Sequence, residues 1–120
     1  MNYRIILKLL FLKNIKNTYR YVKIIELNNY CFKNKINRID ILKIDAEGSE
    51  LDVLKGLKAR ISKVRCVLLE HHYDKSLIKN YTFSDINTLL LNNRFKLVCK
   101  NKMKFRKIFE YIFINTDYVE

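Results

Sequence analysis

Two groups of polar side chains could carry chemistry, and each group directly follows an apolar run. Asp45 and Glu47 follow the first run, and Glu70 and His71 follow the second. A carboxylate can hold the hydroxyl or amine groups of a ligand, and an imidazole titrates near neutral pH, so either can act as a general base. These four residues are the candidate catalytic residues, although their types alone name no reaction.

The strand and the helix predicted on either side of Asp45 should place it at the carboxyl end of a sheet, where ligands bind. Residues 39–44 are apolar on both faces, which predicts an interior strand of a parallel sheet. Residues 49–61 carry apolar side chains at helical spacing, which predicts a helix with Ser49 as its N-cap. Ligands of open α/β sheets bind beyond the carboxyl ends of the strands, which is where Asp45 is expected.

The rest of the chain alternates between strand-like and helix-like patterns. Further strands are predicted at residues 22–27, 64–70, 95–99 and 109–114. Between them we expect a short helix or turn at 28–36, a helix at 84–92 with Ser84 as N-cap, and a hairpin loop at 100–107. The strand at 64–70 is also expected to be buried on both faces and parallel to the strand at 39–44.

A motif around Asp45 resembles that of a known family. Residues 43–50 read Lys-Ile-Asp-Ala-Glu-Gly-Ser-Glu, which is similar to the Lys-Ile-Asp-Val-Glu-Gly-x-Glu signature of FkbM-type S-adenosylmethionine-dependent methyltransferases. The runs at 22–27 and 67–70 resemble the strands before and after that signature. The resemblance covers about residues 22–116, and the central octet is its specific part.

The resemblance implies only part of a methyltransferase fold. We expect an α/β, Rossmann-like class I methyltransferase sheet represented by its C-terminal half, with parallel strands followed by an antiparallel terminal hairpin and the first strands missing. The glycine-rich cofactor loop is absent, because the chain has two glycines and both belong to the signature region. Residues 22–120 would form this part of the domain, and residues 1–21 an amphipathic segment of unknown role.

The same resemblance implies methyl transfer from S-adenosylmethionine to a hydroxyl of a small molecule or saccharide. Asp45 would bind the cofactor, and Asp45, Glu47, Glu70 and His71 would act in catalysis. In the structural alternative, Asp45 accepts hydrogen bonds from turn amides and Glu47 stabilises the helix start. A metal held by Asp45, Glu47 and His71 is chemically possible, but nothing in the spacing specifies it.

Partners follow from the incomplete domain. A second polypeptide or an upstream segment would complete it, and without one the strand at 39–44 would be left at an open edge and promote self-association. The alternative function is a non-catalytic fragment or a basic binding module for nucleic acid or an anionic surface.

Composition excludes several other classes. The 120-residue chain has a formal charge of +12, but its lysines and arginines are scattered, so we do not expect a nucleic acid partner. Cys31, Cys66 and Cys99 lack metal-site spacing and are odd in number, which favours reduced thiols and a cytoplasmic location. The apolar run at 5–12 is interrupted by Lys8 and is far shorter than the ~20 residues of a membrane span, so we do not expect a membrane partner.

Overall fold

Four strands form one mixed sheet in the computed structural model, which describes residues 21, 23–73 and 77–119. In chain order the elements are α1 (Leu27–Lys33), β1 (Ile39–Ile44), α2 (Glu50–Lys55), a 3₁₀ segment (Lys58–Lys63), β2 (Val64–His72), α3 (Phe83–Asn92), β3 (Phe95–Lys102), β4 (Ile108–Asn115) and a 3₁₀ turn (Thr116–Tyr118). The strand order is β1-β2-β4-β3. The β1–β2 pair is parallel and the two other pairs are antiparallel, so the predicted α/β order of parallel strands before a terminal hairpin is present.

The core lies between one face of the sheet and the helical segments. Val67 and Leu69 of β2 are fully buried, and Tyr111 and Phe113 lie opposite them on β4. The predicted inner residues of the helical segments join the same cluster: Leu51, Leu54, Leu57, Ile61, Ile86 and Leu90. Local apolar periodicity therefore identified the buried side of these segments correctly.

The single helix predicted at 49–61 is divided into α2 and the 3₁₀ segment. The carbonyl of Gly56 accepts the N–H of Asn28 at 2.8 Å, so it does not continue the helical ladder. Lys58 then has a φ of +52°, which an α-helix cannot accommodate. The two pieces keep the apolar spacing but change direction between them.

The N-cap of helix α3 lies two residues earlier than predicted, at Thr82 instead of Ser84. The N–H and the hydroxyl of Thr82 both donate to Oδ2 of Asp85, at 2.7 and 2.8 Å. These hydrogen bonds stabilise the charged form and hold the pKa of Asp85 below its usual value. An acid three residues after the cap completes this motif, and only Thr82 has one.

The strand predicted at 22–27 is wrong. Residues 23–26 have no regular secondary structure, Val22 lies outside the described residues, and Leu27 already belongs to α1. The β-branched residues favour an extended chain locally, but a strand needs a neighbour, and within the described chain none lies beside this segment. The short helix or turn predicted at 28–36 is confirmed by α1.

Burial of β1 on both faces is also wrong. Strand β1 lies at an edge of the four-stranded sheet, and the side chain of Ile41 is 69% exposed. The other face of β2 is only half-buried at Leu68. Apolar residues on both faces predict an interior strand, but they do not reveal whether a second neighbour is present.

The terminal hairpin has longer strands and a shorter loop than predicted. Strand β3 continues to Lys102, and only residues 103–107 connect it to β4. The amphipathic segment expected at 1–21 lies outside the described residues apart from Tyr21. None of the described helices has the length and apolar character that crossing a lipid bilayer requires.

Candidate active site

Of the four predicted site residues, the strands bring Asp45 and Glu70 to the same end of the sheet. Ile44 and Leu69 lie directly opposite each other in the parallel pair, so β1 and β2 continue side by side into Asp45 and Glu70. Asp45 is exposed, whereas Glu70 is partly buried. The strands therefore bring together residues that are far apart in the sequence, as their order predicted.

The turn after β1 has an unusual backbone. Glu47 and Gly48 both have positive φ, +50° and +104°. A φ of +104° strongly favours glycine, and an added Cβ at Gly48 would lie 3.5 Å from the carbonyl oxygen of Ile78. The turn therefore packs directly against the loop that precedes α3, and it directs Glu47 into solvent.

Glu50 holds this turn from inside the protein. Its side chain is only 1% exposed, and Oε1 accepts the N–H of Gly48 at 3.0 Å. The hydroxyl of Tyr81 donates to Oε2 and accepts the N–H of Glu50. A buried carboxylate needs such partners, so Glu50 and Tyr81 fix the turn that carries Asp45 and Glu47.

Lys79 and His71 form a second buried contact close to Tyr81. The ammonium of Lys79 lies 3.3 Å from Nε2 of His71 and also donates to the carbonyl of His72. Burial, followed by the charge of Lys79, lowers the pKa of His71 to about 4. Because an ammonium can only donate, Nε2 of His71 accepts and the ring is neutral with its proton on Nδ1.

The two histidines point to opposite faces of β2, as expected for neighbours in a strand. His71 lies on the core face, where its ring centroid is 5.6 Å from that of Phe83. His72 shares the other face with Glu70, and its Nε2 lies 3.1 Å from Oε1 of that carboxylate. Glu70 and His72 are therefore paired, whereas Nδ1 of His71 is buried without a hydrogen-bond partner among the described residues.

Aromatic rings surround His71 on the core face. The ring of Tyr73 lies edge-on at 4.8 Å, and the hydroxyl of Tyr73 is 2.5 Å from that of Tyr111. Burial and this hydrogen bond raise the pKa of Tyr111. The ring of Phe83 stacks on Tyr111 at 4.0 Å. These contacts make the end of β2 rigid on its core side.

Three residues that hold the candidate site in place were not among the predicted site residues: Glu50, Lys79 and Tyr81. An acid such as Glu50 is common in the first turn of a helix whether it is exposed or buried, so its position alone does not reveal this contact. Tyr81 is 31 positions away, so no local pattern connects the two. Asp74, which follows the histidines, lies outside the described residues.

The described residues contain no group of three or more His, Cys, Asp or Glu side chains that could hold a metal ion. The metal alternative required Asp45, Glu47 and His71 to converge. His71 points into the core, whereas Asp45 and Glu47 are exposed. The described geometry therefore gives that alternative no support.

Asp45 and Glu70 thus follow two adjacent parallel strands of an α/β domain, at the end of the strands where open α/β sheets generally bind ligands. The chain belongs to the FkbM methyltransferase family, since the family model of the methyltransferase FkbM domain matches residues 9–97. The signature resemblance is thus confirmed. Comparison with curated proteins gave no match, and neither did comparison with solved structures.

Methyltransferases of this kind generally use S-adenosylmethionine, so the fit of that cofactor can be tested on the glycines. A cofactor loop needs glycines whose missing Cβ leaves room for a ligand. The Cβ position of Gly48 faces Ile78, and that of Gly56 lies 3.3 Å from the carbonyl oxygen of Asp52. Both spaces face the protein's own backbone, so the described residues do not by themselves form a site for this cofactor.

Proposed function

We propose that the chain is the acceptor-binding, C-terminal part of an S-adenosylmethionine-dependent methyltransferase that modifies a hydroxyl of a small molecule or saccharide. Family membership supports methyl transfer. The observation that carries the proposal is the parallel pairing of Ile44 with Leu69, which aligns Asp45 and Glu70 where these two strands approach their carboxyl ends. In this proposal the cofactor contacts missing from the described residues come from elsewhere.

The geometry favours different roles for the candidate residues. Asp45 is exposed at the end of β1 and is the best placed to accept a hydrogen bond from an acceptor hydroxyl. Glu70 keeps His72 in place, and a second carboxylate beside Asp45 would help to orient the same acceptor. Glu47 is exposed on a turn that Glu50 holds in place, so it is well placed to contact a ligand bound beside Asp45.

His71 fits a positioning role better than that of a base. Its low pKa makes it a weak proton acceptor at neutral pH, and Nε2 already faces Lys79. Its ring instead packs against Tyr73 and Tyr81 at the end of β2. We infer that His71 keeps the loop carrying Lys79 and Tyr81 against the turn.

The test is methyl transfer by the full chain. S-adenosylmethionine and a panel of hydroxyl-bearing acceptors, including monosaccharides, are incubated with the protein, and S-adenosylhomocysteine is measured by mass spectrometry. Asp45→Asn should reduce product formation about 100-fold, within the range for a lost general base. Asp40→Asn is the matched control. Asp40 is an exposed aspartate of the same strand, but it pairs with Arg38 at 3.1 Å near the start of β1, away from the carboxyl ends of the strands.

The assay is repeated with the protein co-expressed with a completing polypeptide. Product formation that Asp45→Asn leaves unchanged would contradict the role of this residue. If neither preparation binds S-adenosylmethionine or releases S-adenosylhomocysteine, the alternative of a non-catalytic fragment is favoured and the proposed activity fails.

The outer edge of β1 is the proposed docking site for that completing segment. Within the described residues no strand pairs with this edge, although Ile41 presents a large apolar side chain there. A strand edge with unpaired backbone groups readily pairs with another chain. We propose that a strand of the completing segment fills it, and that isolated chains self-associate through the same edge.

A further inference from the structure

A basic cavity lies at the opposite end of the sheet from Asp45. It has a volume of about 650 Å³, and its lining includes Asn37 and Arg38 before β1, Arg60 and Lys63 of the 3₁₀ segment, and Tyr118. Strands β1 and β2 both start beside it, since Ile39 pairs with Val64. The cavity is therefore separate from the candidate active site, which lies where those two strands end.

The charged residues that line this cavity are basic. Arg38, Arg60 and Lys63 supply three cations, and among the described residues no acidic side chain is part of the lining. Asn37 adds an amide that can donate hydrogen bonds. Like charges that converge on one concave surface repel each other, so an anion in the cavity would relieve the repulsion and accept hydrogen bonds.

Arg60 is held in a fixed position by the protein. Its Nη1 donates to the carbonyl of Ile36 at 2.6 Å, and its Nε donates towards Oδ1 of Asn28 at 3.4 Å. These two contacts use the N–H of Nε and one N–H of Nη1. A guanidinium has five N–H donors in a rigid plane, so others remain for a ligand, and the group is oriented before the ligand arrives.

Acids restrict the size of the basic surface. Arg38 forms a salt bridge with Asp40 at 3.1 Å. Asp117 precedes Tyr118 in the chain and forms a salt bridge with Arg94 at 2.7 Å. An extended polyanion crossing this end of the sheet would meet both carboxylates. The pattern suits a compact anion better than a long one.

We propose that the basic cavity binds the phosphate group of a small phosphorylated molecule. Arg60 would hold the phosphate by its fixed guanidinium, and Arg38 and Lys63 would add charge from either side. Planar guanidinium groups match phosphate oxygens well, and Lys63 acts as a point charge. The site is independent of methyl transfer and stands whether or not the chain is an enzyme.

The test is a calorimetric titration of the full chain with inorganic phosphate and with pyrophosphate, at low and at moderate salt. Saturable binding with one site per chain is expected. Lys63→Gln should weaken binding about 10-fold, the effect of one charged hydrogen bond, and its fold should persist because Lys63 has no hydrogen bond or ion pair to another described residue. Arg38→Gln should have a similar effect.

Lys104→Gln is the matched control, since Lys104 is an exposed lysine in the loop of the terminal hairpin, far along the sheet from the cavity. It should leave the dissociation constant within about 2-fold of wild type. No binding of either anion, or equal weakening by Lys104→Gln and Lys63→Gln, would overturn the proposal. Binding only to RNA oligonucleotides, with affinity rising with their length, would also overturn it and indicate a polyanion surface.

Discussion

The hydroxyl of Tyr81 lies between the backbone and the side chain of Glu50, donating to the carboxylate and accepting from the N–H of the same residue. The carboxylate in turn accepts the N–H of Gly48. One phenol thus joins the loop before α3 to the turn that presents Asp45 and Glu47. The position of the exposed acids depends on a buried contact that neither of them makes.

Tyr81→Phe should lower the free energy of unfolding by about 1.5–3 kcal/mol, because a buried carboxylate loses a hydrogen bond that it cannot replace with water. Urea unfolding followed by circular dichroism measures the change. Tyr30→Phe is the control, since Tyr30 is 45% exposed and should give less than about 0.5 kcal/mol. Equal effects of the two variants would contradict a specific role for the Tyr81 hydroxyl.

The low pKa of His71 predicts a loss of stability in mild acid. The folded protein keeps this ring neutral down to about pH 4, whereas the unfolded chain takes up a proton near its ordinary pKa of 6.5. The unfolded state therefore binds more protons between these values, and stability falls as the pH decreases from about 6.5 to about 4. Between pH 7.5 and pH 5 the loss from this residue should be about 2 kcal/mol.

The His71 contribution is isolated by comparing variants at both pH values. His71→Gln removes the titrating group, so its unfolding free energy should change less between pH 7.5 and pH 5 than that of wild type. Identical pH profiles for wild type and His71→Gln would show that this ring is not the source.

The two glycines should respond differently to alanine. Gly48→Ala forces a side chain into a φ of +104° and should cost about 1–2 kcal/mol. Gly56 has a φ of −65°, which suits any residue, but an added Cβ would lie 3.3 Å from the carbonyl oxygen of Asp52, so Gly56→Ala should cost less than Gly48→Ala, about 0.5–1 kcal/mol. Thermal unfolding measures both, and a neutral Gly48→Ala would mean that the turn after β1 is not fixed as described.

Self-association through β1 should depend on its exposed apolar side chain. Ile41→Lys places a charge on the open edge and should raise the dimer dissociation constant about 10-fold, as expected when one large apolar side chain is no longer buried. Sedimentation velocity at several concentrations gives the constant. Ile78→Lys is the control, because Ile78 is equally apolar and exposed but lies in a loop. The same weakening in both variants would point to unspecific association.

The sequence predicted the parts of the fold that depend on neighbouring residues. Helical spacing predicted the helix at 84–92, in which Ile86 and Leu90 are buried and Leu89 is partly buried. The chain order of runs and turns predicted the parallel pairing that aligns Asp45 with Glu70. The motif at 43–50 indicated the same family that the family model matches. Each of these inferences uses residues that lie within about 30 positions of one another in the sequence.

What the sequence could not provide was the side-chain contacts between distant segments. Nothing near Glu50 indicates that Tyr81 will cover it, and the apolar residues on both faces of β1 favour an interior strand although β2 is its one neighbour within the described residues. The segment at 23–26 failed for the same reason, since its β-branched residues favour a strand that has no partner in the described chain. The local preference for an extended chain therefore predicted the wrong element, because the sequence does not show which residues pack against this segment.

The strand order has a consequence for synthesis on the ribosome. Among the four described strands β4 comes last in chain order, yet it lies between β2 and β3 and supplies Tyr111 and Phe113 to the core. A nascent chain that ends before Ile108 holds β1 beside β2 but has nothing to join them to β3. The four-stranded sheet can therefore form only after Asn115 has left the exit tunnel, and until then the apolar residues of β2 that pair with β4 are uncovered.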